Sequence, residues 1–367
     1  MSADQFRDDP HGSDAFVKRL VLHQKYLFAR LLFWCGLAAA LVGGLSWMLM
    51  MPGESVTEPL AEPTVAERAL TRQLKADVRM LADDIGERNM HRPGSMATAA
   101  EWIKLRLREA GYEPQVHSYT LRGSGYGGES ADNLIAEVPG HGPADEIVII
   151  GAHYDTVPGS PGANDNGSAV AVLLALAEHF AERRQERTLR FIAFANEEPP
   201  FYRSEDMGSH AYARKLREGH EQVHAMIALD GLGFFSNKPG SQQFPVPAIS
   251  LAYPDRAEFI AFVTRMRDRS VLTRALGSFR EHASIPSEGA VLPSFVPGVG
   301  WSDHWSFWQH GYPALLVTDT LPFRDPHYHS HADTPERLDY GRMSRVAEGL
   351  KAVVTDLAGS APLDGNQ

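Results

Sequence analysis

Cysteine is almost absent from this chain of 367 residues, because Cys35 is the only one. A lone cysteine excludes an intramolecular disulfide, and it gives no basis for a cysteine-ligated zinc site or a thiol catalyst. Basic residues are also scarce relative to acidic ones, and the formal net charge of −11 argues against nucleic acid as a partner. The sequence shows no internal repeat. Its hydrophobic content of 43% is typical of a globular protein with a substantial core.

Charged residues are missing from residues 31–51, which read LLFWCGLAAALVGGLSWMLMM. As an α-helix this run would span roughly 31 Å, the thickness of a bilayer core. Basic residues precede it and acidic residues follow it. The positive-inside rule therefore predicts a single-pass protein of the cell membrane, with a cytoplasmic tail (1–30), a transmembrane helix (31–51) and the remainder outside the cytoplasm, periplasmic in a Gram-negative cell. A cleaved signal peptide is the alternative, but no A-x-A-like site closely follows the run.

The remainder of the chain divides into a short stalk and one domain. Residues 52–63 are rich in Pro and Glu, as linkers often are, and residues 64–360 form the predicted domain. Helical and strand periodicities alternate along it, which predicts an α/β fold with a largely parallel sheet. Strands are predicted at 116–121, 133–138, 147–150, 188–195, 223–229 and 312–318, helices at 64–87, 95–110, 168–177, 208–218, 256–269 and 338–357, and a loop at 276–301.

Polar side chains follow several of these predicted strands. Each alone is typical of a turn, a cap or a solvated corner. The carboxyl ends of parallel strands meet at one edge of a sheet, however, and clustered carboxylates repel one another unless a cation lies among them. The sequence therefore predicts a metal site at this edge, near His153 and Asp155, Asp165, Glu197 and Glu198, Asp230, and the loop from His327 to Asp333.

Charge counting favours two divalent ions over one. Two Zn²⁺ ions carry four positive charges, which three carboxylate ligands and a bridging hydroxide would balance, with neutral histidines completing the coordination. Carboxylate and imidazole ligands suit zinc, with cobalt or manganese as alternatives. Two adjacent metals can share a water and lower its pKa, and a carboxylate outside the coordination sphere is then needed to move the proton.

A second zinc motif, H-E-x-x-H, occurs at residues 220–224. Single-zinc proteases need both histidines of this motif on one continuous helix. Here Gly219 ends the preceding predicted helix and Val223 begins a predicted strand, so no helix of sufficient length fits. We therefore interpret this match as a coincidence.

Five dispersed motifs resemble those of the M28 family of co-catalytic zinc peptidases, which are mainly aminopeptidases. They are G-A-H-Y-D-T-V, G-A-N-D-N-G, N-E-E, a strand-terminal Asp and Y-H-x-x-x-D-T, and the similarity covers roughly residues 70–357. The resemblance implies a three-layer α/β/α domain of the zinc exopeptidase type, with a mostly parallel central sheet. It also implies roles for site residues: His153 and Asp230 on one zinc, Glu198 and His329 on the other, Asp165 bridging, Glu197 as general base and Asp155 orienting His153.

The same resemblance suggests substrate-binding residues. Tyr328 matches a position thought to assist the substrate carbonyl. Among the predicted metal ligands, His331 is the alternative if His329 is not the ligand. Asp303 and His304 resemble a segment of bacterial members that lines the substrate pocket, although a helix N-cap explains Ser302-Asp303 equally well. Residues 234–301 should build the pocket, but they contain no interpretable motif.

The resemblance implies a membrane-anchored di-zinc exopeptidase acting on peptides, foremost an aminopeptidase. A metal-bridged hydroxide would attack the peptide carbonyl, with Glu197 moving the proton. The same scaffold also supports carboxypeptidases and glutaminyl cyclases. A catalytically degenerate binding module at the membrane surface is a further alternative, against which the intact set of ligands argues.

Overall fold

The computed structural model describes residues 10–359 apart from residues 58, 124, 143, 144 and 184. The first nine residues of the predicted tail and Ser360, the last residue of the predicted domain, lie outside this part. The chain forms two compact units that divide between Met50 and Met51.

The first unit is a single helix, α1 (Pro10–Leu49). Its segment Lys18–Leu49 is long and apolar enough to cross a membrane, and its apolar 18-residue window contains no buried residue. A signal sequence near the N-terminus would share this length and composition. Most of the predicted span 31–51 lies in this helix, and the orientation of the helix stays a prediction.

The second unit contains the remaining elements. Its helices are α2 (Val65–Arg79), α3 (Ser95–Glu109), α4 (Ala169–Phe180), α5 (Gly208–Glu218), α6 (Arg269–His282), α7 (His304–Gln309) and α8 (Tyr340–Ala358). Its strands are β1 (Gln115–Thr120), β2 (Ser130–Val138), β3 (Glu146–His153), β4 (Thr188–Phe194), β5 (Gln222–Leu229), β6 (Ile260–Arg265), β7 (Ser287–Leu292) and β8 (Ala314–Thr318).

The eight strands that the structure describes form one sheet in the order β1-β2-β4-β3-β5-β8-β6-β7. The central strands β4, β3, β5 and β8 are mutually parallel. Antiparallel pairs occur toward both sides of the sheet, where β2 pairs with β4 and β6 pairs with β8. The edge strand β7 runs parallel to β6. The predicted α/β fold with a mostly parallel sheet is confirmed.

Helices cover both faces of the sheet, which gives three layers. In β3 the side chains alternate: Val148 and Ile150 belong to a core with residues of α2, α3, α4, α6 and α8. Ile147 and Ile149 belong to a second core with residues of α5 and α7. A parallel strand that is buried on both faces reads as a continuous apolar run, and β3 has this pattern.

Two predictions about residues 256–301 are wrong. The predicted helix 256–269 is strand β6 followed by the start of α6, and the predicted loop 276–301 contains the end of α6 and strand β7. The run IAFVTR of β6 pairs with β8 on one side and β7 on the other. These partners are distant in sequence, so local periodicity could not reveal them.

The predicted stalk is attached along the second unit. We call residues 51–57 and 59–63 the N-terminal strap. Arg280 donates hydrogen bonds to the carbonyls of Pro52 and Gly53, both at 3.1 Å. The amide of Ser287, at the start of β7, donates to Ser55 Oγ at 2.8 Å. Arg345 donates to the carbonyl of Ala61. These bonds hold the strap on the domain surface, which a free linker would not do.

Removing the strap should therefore destabilise the domain. A chain that begins at Thr64 leaves Arg280 and the Ser287 amide without these acceptors, a loss of about 1–3 kcal/mol. We expect its thermal midpoint to be about 2–6 °C below that of a chain beginning at Met51. Differential scanning calorimetry of the two zinc-free chains measures the difference. Ser55→Ala in the longer chain should lower the thermal midpoint by only a small part of this difference. Equal midpoints for the chains beginning at Met51 and at Thr64 would show that the strap is a free linker.

Candidate metal centre

Three neighbouring parallel strands bring the predicted site residues together. His153 ends β3, Glu197 and Glu198 follow β4, and Asp230 follows β5. Because these strands are adjacent and parallel, their carboxyl ends meet at one edge of the sheet. The side chains there are buried: the exposed fraction is 1% for His153, 5% for Asp230 and 4% for Asp165, which arrives from the loop before α4.

A first group forms around His153. Its Nε2 atom lies 3.4 Å from Asp165 Oδ1 and 3.6 Å from Asp230 Oδ1. One ligand atom from each of the three residues lies within 4.8 Å of the others. This spacing leaves room for one cation among an imidazole and two carboxylates.

A second group forms around His329. Its Nε2 atom lies 3.1 Å from Asp165 Oδ2 and 3.1 Å from Glu198 Oε1. The backbone of His329 is left-handed, with φ of 56°, an uncommon conformation for a residue other than glycine. Asp165 belongs to both groups and directs one oxygen into each, as a carboxylate that bridges two cations would.

Several of the atoms that face each other in these groups have no hydrogen-bond partner in the described part of the chain. Glu198 Oε1, Asp230 Oδ1 and His329 Nε2 are buried and make no hydrogen bond with the residues that the structure describes. Buried polar atoms are normally hydrogen-bonded, so such orphans need an explanation. A divalent cation would satisfy all three at once, and carboxylate with imidazole is a donor set that fits zinc.

Fixed positive charge does not supply this role. In the described part of the chain, no lysine or arginine forms an ion pair with Glu197, Glu198 or Asp230. Arg88 is completely buried nearby, but its guanidinium donates to backbone carbonyls, including those of Tyr154 and Gly162. Among the described residues, the two imidazoles of His153 and His329 are therefore the only possible cations in direct contact with these carboxylates, while the charge of Arg88 acts on Asp155 and Asp165 without pairing with them.

The burial of these groups shifts their pKa values. Burial and the neighbouring Asp165 carboxylate raise the pKa of Glu198 to about 8. Burial alone would lower the pKa of His329, but the Asp165 and Glu198 carboxylates raise it to about 10. Burial also raises the pKa of Glu197 well above its usual range. Without a cation, the site therefore retains protons at neutral pH.

Asp155 joins the first group to the glutamate pair. Its two carboxylate oxygens accept the backbone N–H groups of Glu197 and Glu198, at 3.0 and 3.1 Å. Its Oδ1 atom also lies 3.5 Å from His153 Nδ1. The role of Asp155 in orienting His153 stays a prediction, and its two backbone contacts add an unpredicted role in holding the turn that carries both glutamates.

The Asp165 loop is fixed by a residue whose role the sequence did not reveal. Asp333 accepts the backbone N–H groups of Asn164 and Asp165, at 2.7 and 3.0 Å. Gly162 opens the loop with φ of 63°, and a Cβ there would lie 2.4 Å from the carbonyl oxygen of Asp165. Asn166 continues the attachment, because its side chain bonds to Leu229 O and to the amide of Gly231. Asp333 belongs to the Y-H-x-x-x-D-T motif, and this membership was the one sign in the sequence that Asp333 could belong to the site.

A large cavity adjoins the centre. It encloses about 860 Å³ including its open mouth, and both Asp230 and Tyr328 line it. The rest of its lining comes from residues within 242–263, 288–301 and 316–328. Most of these side chains are apolar. The expectation that residues 234–301 help to build a pocket is confirmed.

Asp303 and His304 lie outside this lining. Both are completely buried, and His304 Nε2 lies 2.8 Å from the carbonyl oxygen of Val299. Burial raises the pKa of Asp303 to about 7. Asp303 occupies the N-cap position of α7, as the alternative interpretation holds, but its side chain makes no capping hydrogen bond. Their contact with substrate stays a prediction.

The remaining histidines of interest occupy other positions. Val223 and His224 of the H-E-x-x-H match lie in strand β5, so the helical zinc motif is absent there and the coincidence is confirmed. His331, the fallback ligand, is exposed and belongs to neither group of potential ligands among the described residues.

An α/β sheet with two adjoining carboxylate–imidazole groups at its carboxyl edge, beside a large cavity, is an arrangement typical of metal-dependent hydrolases. The chain belongs to Peptidase family M28, whose sequence profile matches residues 133–354. It is therefore a peptidase, as the motifs implied.

Individual relatives agree with this assignment. The chain is 35% identical to the uncharacterized protein YfbL of Escherichia coli (strain K12) over 299 residues, which cover 79% of this chain and 89% of YfbL. It is 26% identical to leucine aminopeptidase 1 of Trichophyton rubrum over 334 residues, 82% of each chain.

Solved structures show the same fold. BSAP, a zinc aminopeptidase from Bacillus subtilis, matches with a TM-score of 0.62 and 16% identity over 81% of this chain and 96% of BSAP. A glutaminyl cyclase from Porphyromonas gingivalis matches with a TM-score of 0.56 and 18% identity, over 77% and 97% of the two chains. At such identities the likeness concerns the fold alone.

Asp333 should control metal affinity without touching the metal. In Asp333→Asn the side chain keeps one acceptor and places an NH₂ group against the second backbone N–H, which loosens the Asp165 loop. We expect zinc affinity to fall about 10- to 100-fold. Competition with a zinc-sensitive dye measures it. The control is Asp356→Asn, because the Asp356 carboxylate pairs with Arg274 on the surface. Equal zinc affinities of Asp333→Asn and this control would contradict the role of Asp333 in fixing the Asp165 loop.

Metal binding should also release protons. Because the metal-free site holds protons on His329 and Glu198 at neutral pH, a cation must displace them, and we expect release of roughly one to two protons per chain at pH 7. Apparent affinity should rise as pH rises through about 8, since Glu198 then loses its proton before binding. Calorimetric titrations in buffers of different ionisation enthalpy count the protons. A binding heat that is independent of the buffer would contradict this expectation.

Proposed function

We propose that this chain is a zinc aminopeptidase that holds two metal ions and removes N-terminal residues from peptides. The observation that carries the proposal is the position of Asp165, whose two oxygens face two separate groups of ligand atoms. His153 and Asp230 would complete one coordination sphere, and Glu198 and His329 the other. Family membership supports peptide hydrolysis. The named relatives that are aminopeptidases support cleavage at the N-terminus.

Glu197 would act as the general base. Its side chain is buried beside the two groups but belongs to neither, and its Oε1 atom has no hydrogen-bond partner among the described residues. Burial raises its pKa, which brings it toward the pH at which a base can both accept and return a proton. When bound, zinc would lower the pKa of a water and polarise the substrate carbonyl. Glu197 would then take the proton from the attacking water and deliver it to the departing amine.

Tyr328 would bind the substrate carbonyl oxygen. Its ring stacks on that of His329, with 3.7 Å between ring centroids, and it lines the cavity. Burial, with the nearby Asp165 carboxylate, raises the pKa of the phenol far above neutrality, so the hydroxyl keeps its proton and can donate a hydrogen bond. This donor would stabilise negative charge as it develops on the carbonyl oxygen.

The N-terminal helix would anchor the enzyme. We propose that residues 31–51 cross the cell membrane once with the preceding residues in the cytoplasm, so that the peptidase lies outside, in the periplasm of a Gram-negative cell. The supporting observation is an unburied apolar helix of sufficient length. N-terminal sequencing of the membrane-extracted protein distinguishes an anchor from a cleaved signal peptide.

A substrate panel tests the reaction type. We expect the zinc-loaded enzyme to release the first residue from peptides with a free N-terminus, to leave N-acetylated peptides intact, and to lose activity in a chelator. Release of C-terminal residues would identify a carboxypeptidase, and pyroglutamate formed from N-terminal glutamine would identify a cyclase. The absence of both metal and turnover would favour the degenerate binding module.

Replacing Glu197 tests the mechanism. Glu197→Gln keeps the shape of the side chain but cannot accept a proton, so we expect kcat to fall about 10²- to 10⁴-fold while zinc content stays the same. Steady-state kinetics and metal analysis measure both. The matched control is Glu205→Gln, an exposed glutamate that pairs with Arg122 on the surface, which should leave kcat unchanged. A Glu197→Gln enzyme with wild-type kcat would remove Glu197 from the mechanism.

A further inference from the structure

One face of the sheet forms a wall of the cavity. The side chains concerned alternate along each strand: Leu316 and Thr318 in β8, Ala261 and Val263 in β6, and Glu288 with two further residues in β7. Because alternate residues of a strand point to the same face, these side chains project together into the cavity.

The strand register places Glu288 at the far end of a row that starts at the metal centre. Ala261 pairs with Glu288 on one side and with Thr318 on the other. Val317 pairs with Leu229, so Asp230 continues the same row. Neighbouring strands are about 4.8 Å apart, so the three steps from Asp230 to Glu288 cover roughly 14 Å between Cα atoms.

Glu288 is chemically distinct from the cavity wall around it. Glu288 and Asp230 are the only acids among the described residues that line the cavity, and no lysine or arginine lines it. About 24% of the Glu288 side chain is exposed, so a molecule in the cavity can reach it.

The carboxylate of Glu288 retains free acceptor capacity. Arg280 Nη2 lies 3.7 Å from Glu288 Oε2, beyond hydrogen-bond distance. The guanidinium of Arg280 donates instead to Ser287 O at 2.8 Å and to the strap carbonyls of Pro52 and Gly53. Tyr253 likewise donates elsewhere, to Gly289 O. Within the part of the chain that the structure describes, no hydrogen-bond donor is committed to Glu288.

We propose that Glu288 is a specificity-determining residue that selects peptides whose first side chain is lysine or arginine. This inference rests on the proposed aminopeptidase function. The peptide's first carbonyl would lie at the Asp230 end, and its side chain would extend along the row toward β7. A lysine or arginine side chain reaches roughly 6–7 Å from its Cα, with an aliphatic stem that suits the apolar wall and a cationic end that suits Glu288.

Shorter or neutral side chains would gain less from this pocket. A leucine side chain would contact the apolar wall but leave the carboxylate without a partner. A cation at this position would form a charge-assisted hydrogen bond, which is stronger than a neutral one. We expect this contact to be worth about 10- to 100-fold in kcat/KM.

Two pairs of substrates isolate the charge. Lysine is compared with norleucine, which lacks its terminal amine, and arginine with citrulline, which is neutral and nearly the same shape. Each residue is attached to the same reporter amine and offered to the full-length, zinc-loaded enzyme. The variants are Glu288→Gln and, as matched control, Glu281→Gln, an exposed glutamate of α6 that does not line the cavity.

The wild-type enzyme and Glu281→Gln should prefer lysine to norleucine, and arginine to citrulline, by about 10- to 100-fold. Glu288→Gln should lose most of this preference, chiefly through KM, while its kcat/KM for norleucine stays within about twofold. A general structural defect would lower kcat/KM for all four substrates together.

Equal kcat/KM values of the wild-type enzyme for the charged substrates and their neutral counterparts would overturn the proposal. They would show that Arg280 already neutralises Glu288. This wild-type comparison decides the question even if Glu288→Gln does not fold. An unchanged lysine preference in a folded Glu288→Gln enzyme would also overturn it. In both cases turnover of norleucine would leave the aminopeptidase function intact. Failure of the zinc-loaded enzyme to release any of the four residues would remove that function, and this inference with it.

Discussion

The concentration of negative charge inside the protein is the constraint on which the structure depends. Asp155, Asp165, Glu197, Glu198 and Asp230 are all at most 5% exposed and lie at one sheet edge, where two imidazoles are the only possible cations that contact them in the described part of the chain. Isolated buried carboxylates are strongly destabilising, and like charges add repulsion. Such a cluster persists only where a cation or retained protons neutralise it. The raised pKa values and the orphaned ligand atoms are two consequences of the same shortage of positive charge.

Backbone groups, rather than salt bridges, hold the cluster in place. Asp155 and Asp333 each accept two consecutive backbone N–H groups, which fixes the turns that carry the ligands. Arg88 does the converse, since its guanidinium donates to carbonyls around the Asp165 loop. This arrangement sets the ligand positions while leaving the ligand oxygens free to face one another. Residues that orient metal ligands commonly act in this way.

The sequence predicted the centre of the fold better than its margin. Strands β3, β4 and β5 are apolar runs that end in ionisable residues, so their convergence followed from the rule that parallel strands present their carboxyl ends together. The sequence did not predict strands β6 and β7, because their pairing depends on partners far away in the chain. The run IAFVTR of β6 contains no local signal that excludes a helix.

The same limitation applies to the strap and to two supporting residues. Pro and Glu made residues 52–63 resemble a linker, yet Arg280, more than 200 residues later, binds two of its carbonyls. Arg88 gave no signal either, because its partners are backbone carbonyls, which every residue possesses. Asp333 stood in a recognised motif, but its hydrogen bonds to residues 164 and 165 span almost 170 positions. Glu288 fell in the predicted loop 276–301, and only the strand register places it opposite Ala261.

The lateness of His329 and Asp333 in the chain has a consequence for biosynthesis. Synthesis proceeds from the N-terminus, and early segments can fold before later ones exist. The sheet edge with His153, Asp165, Glu198 and Asp230 can form first, but the final imidazole and the clamp on the Asp165 loop come only after the last strand, β8. A nascent or truncated polypeptide that stops before these residues thus lacks a complete centre, so a peptidase with this order of residues stays inert until the segment after β8 has been translated.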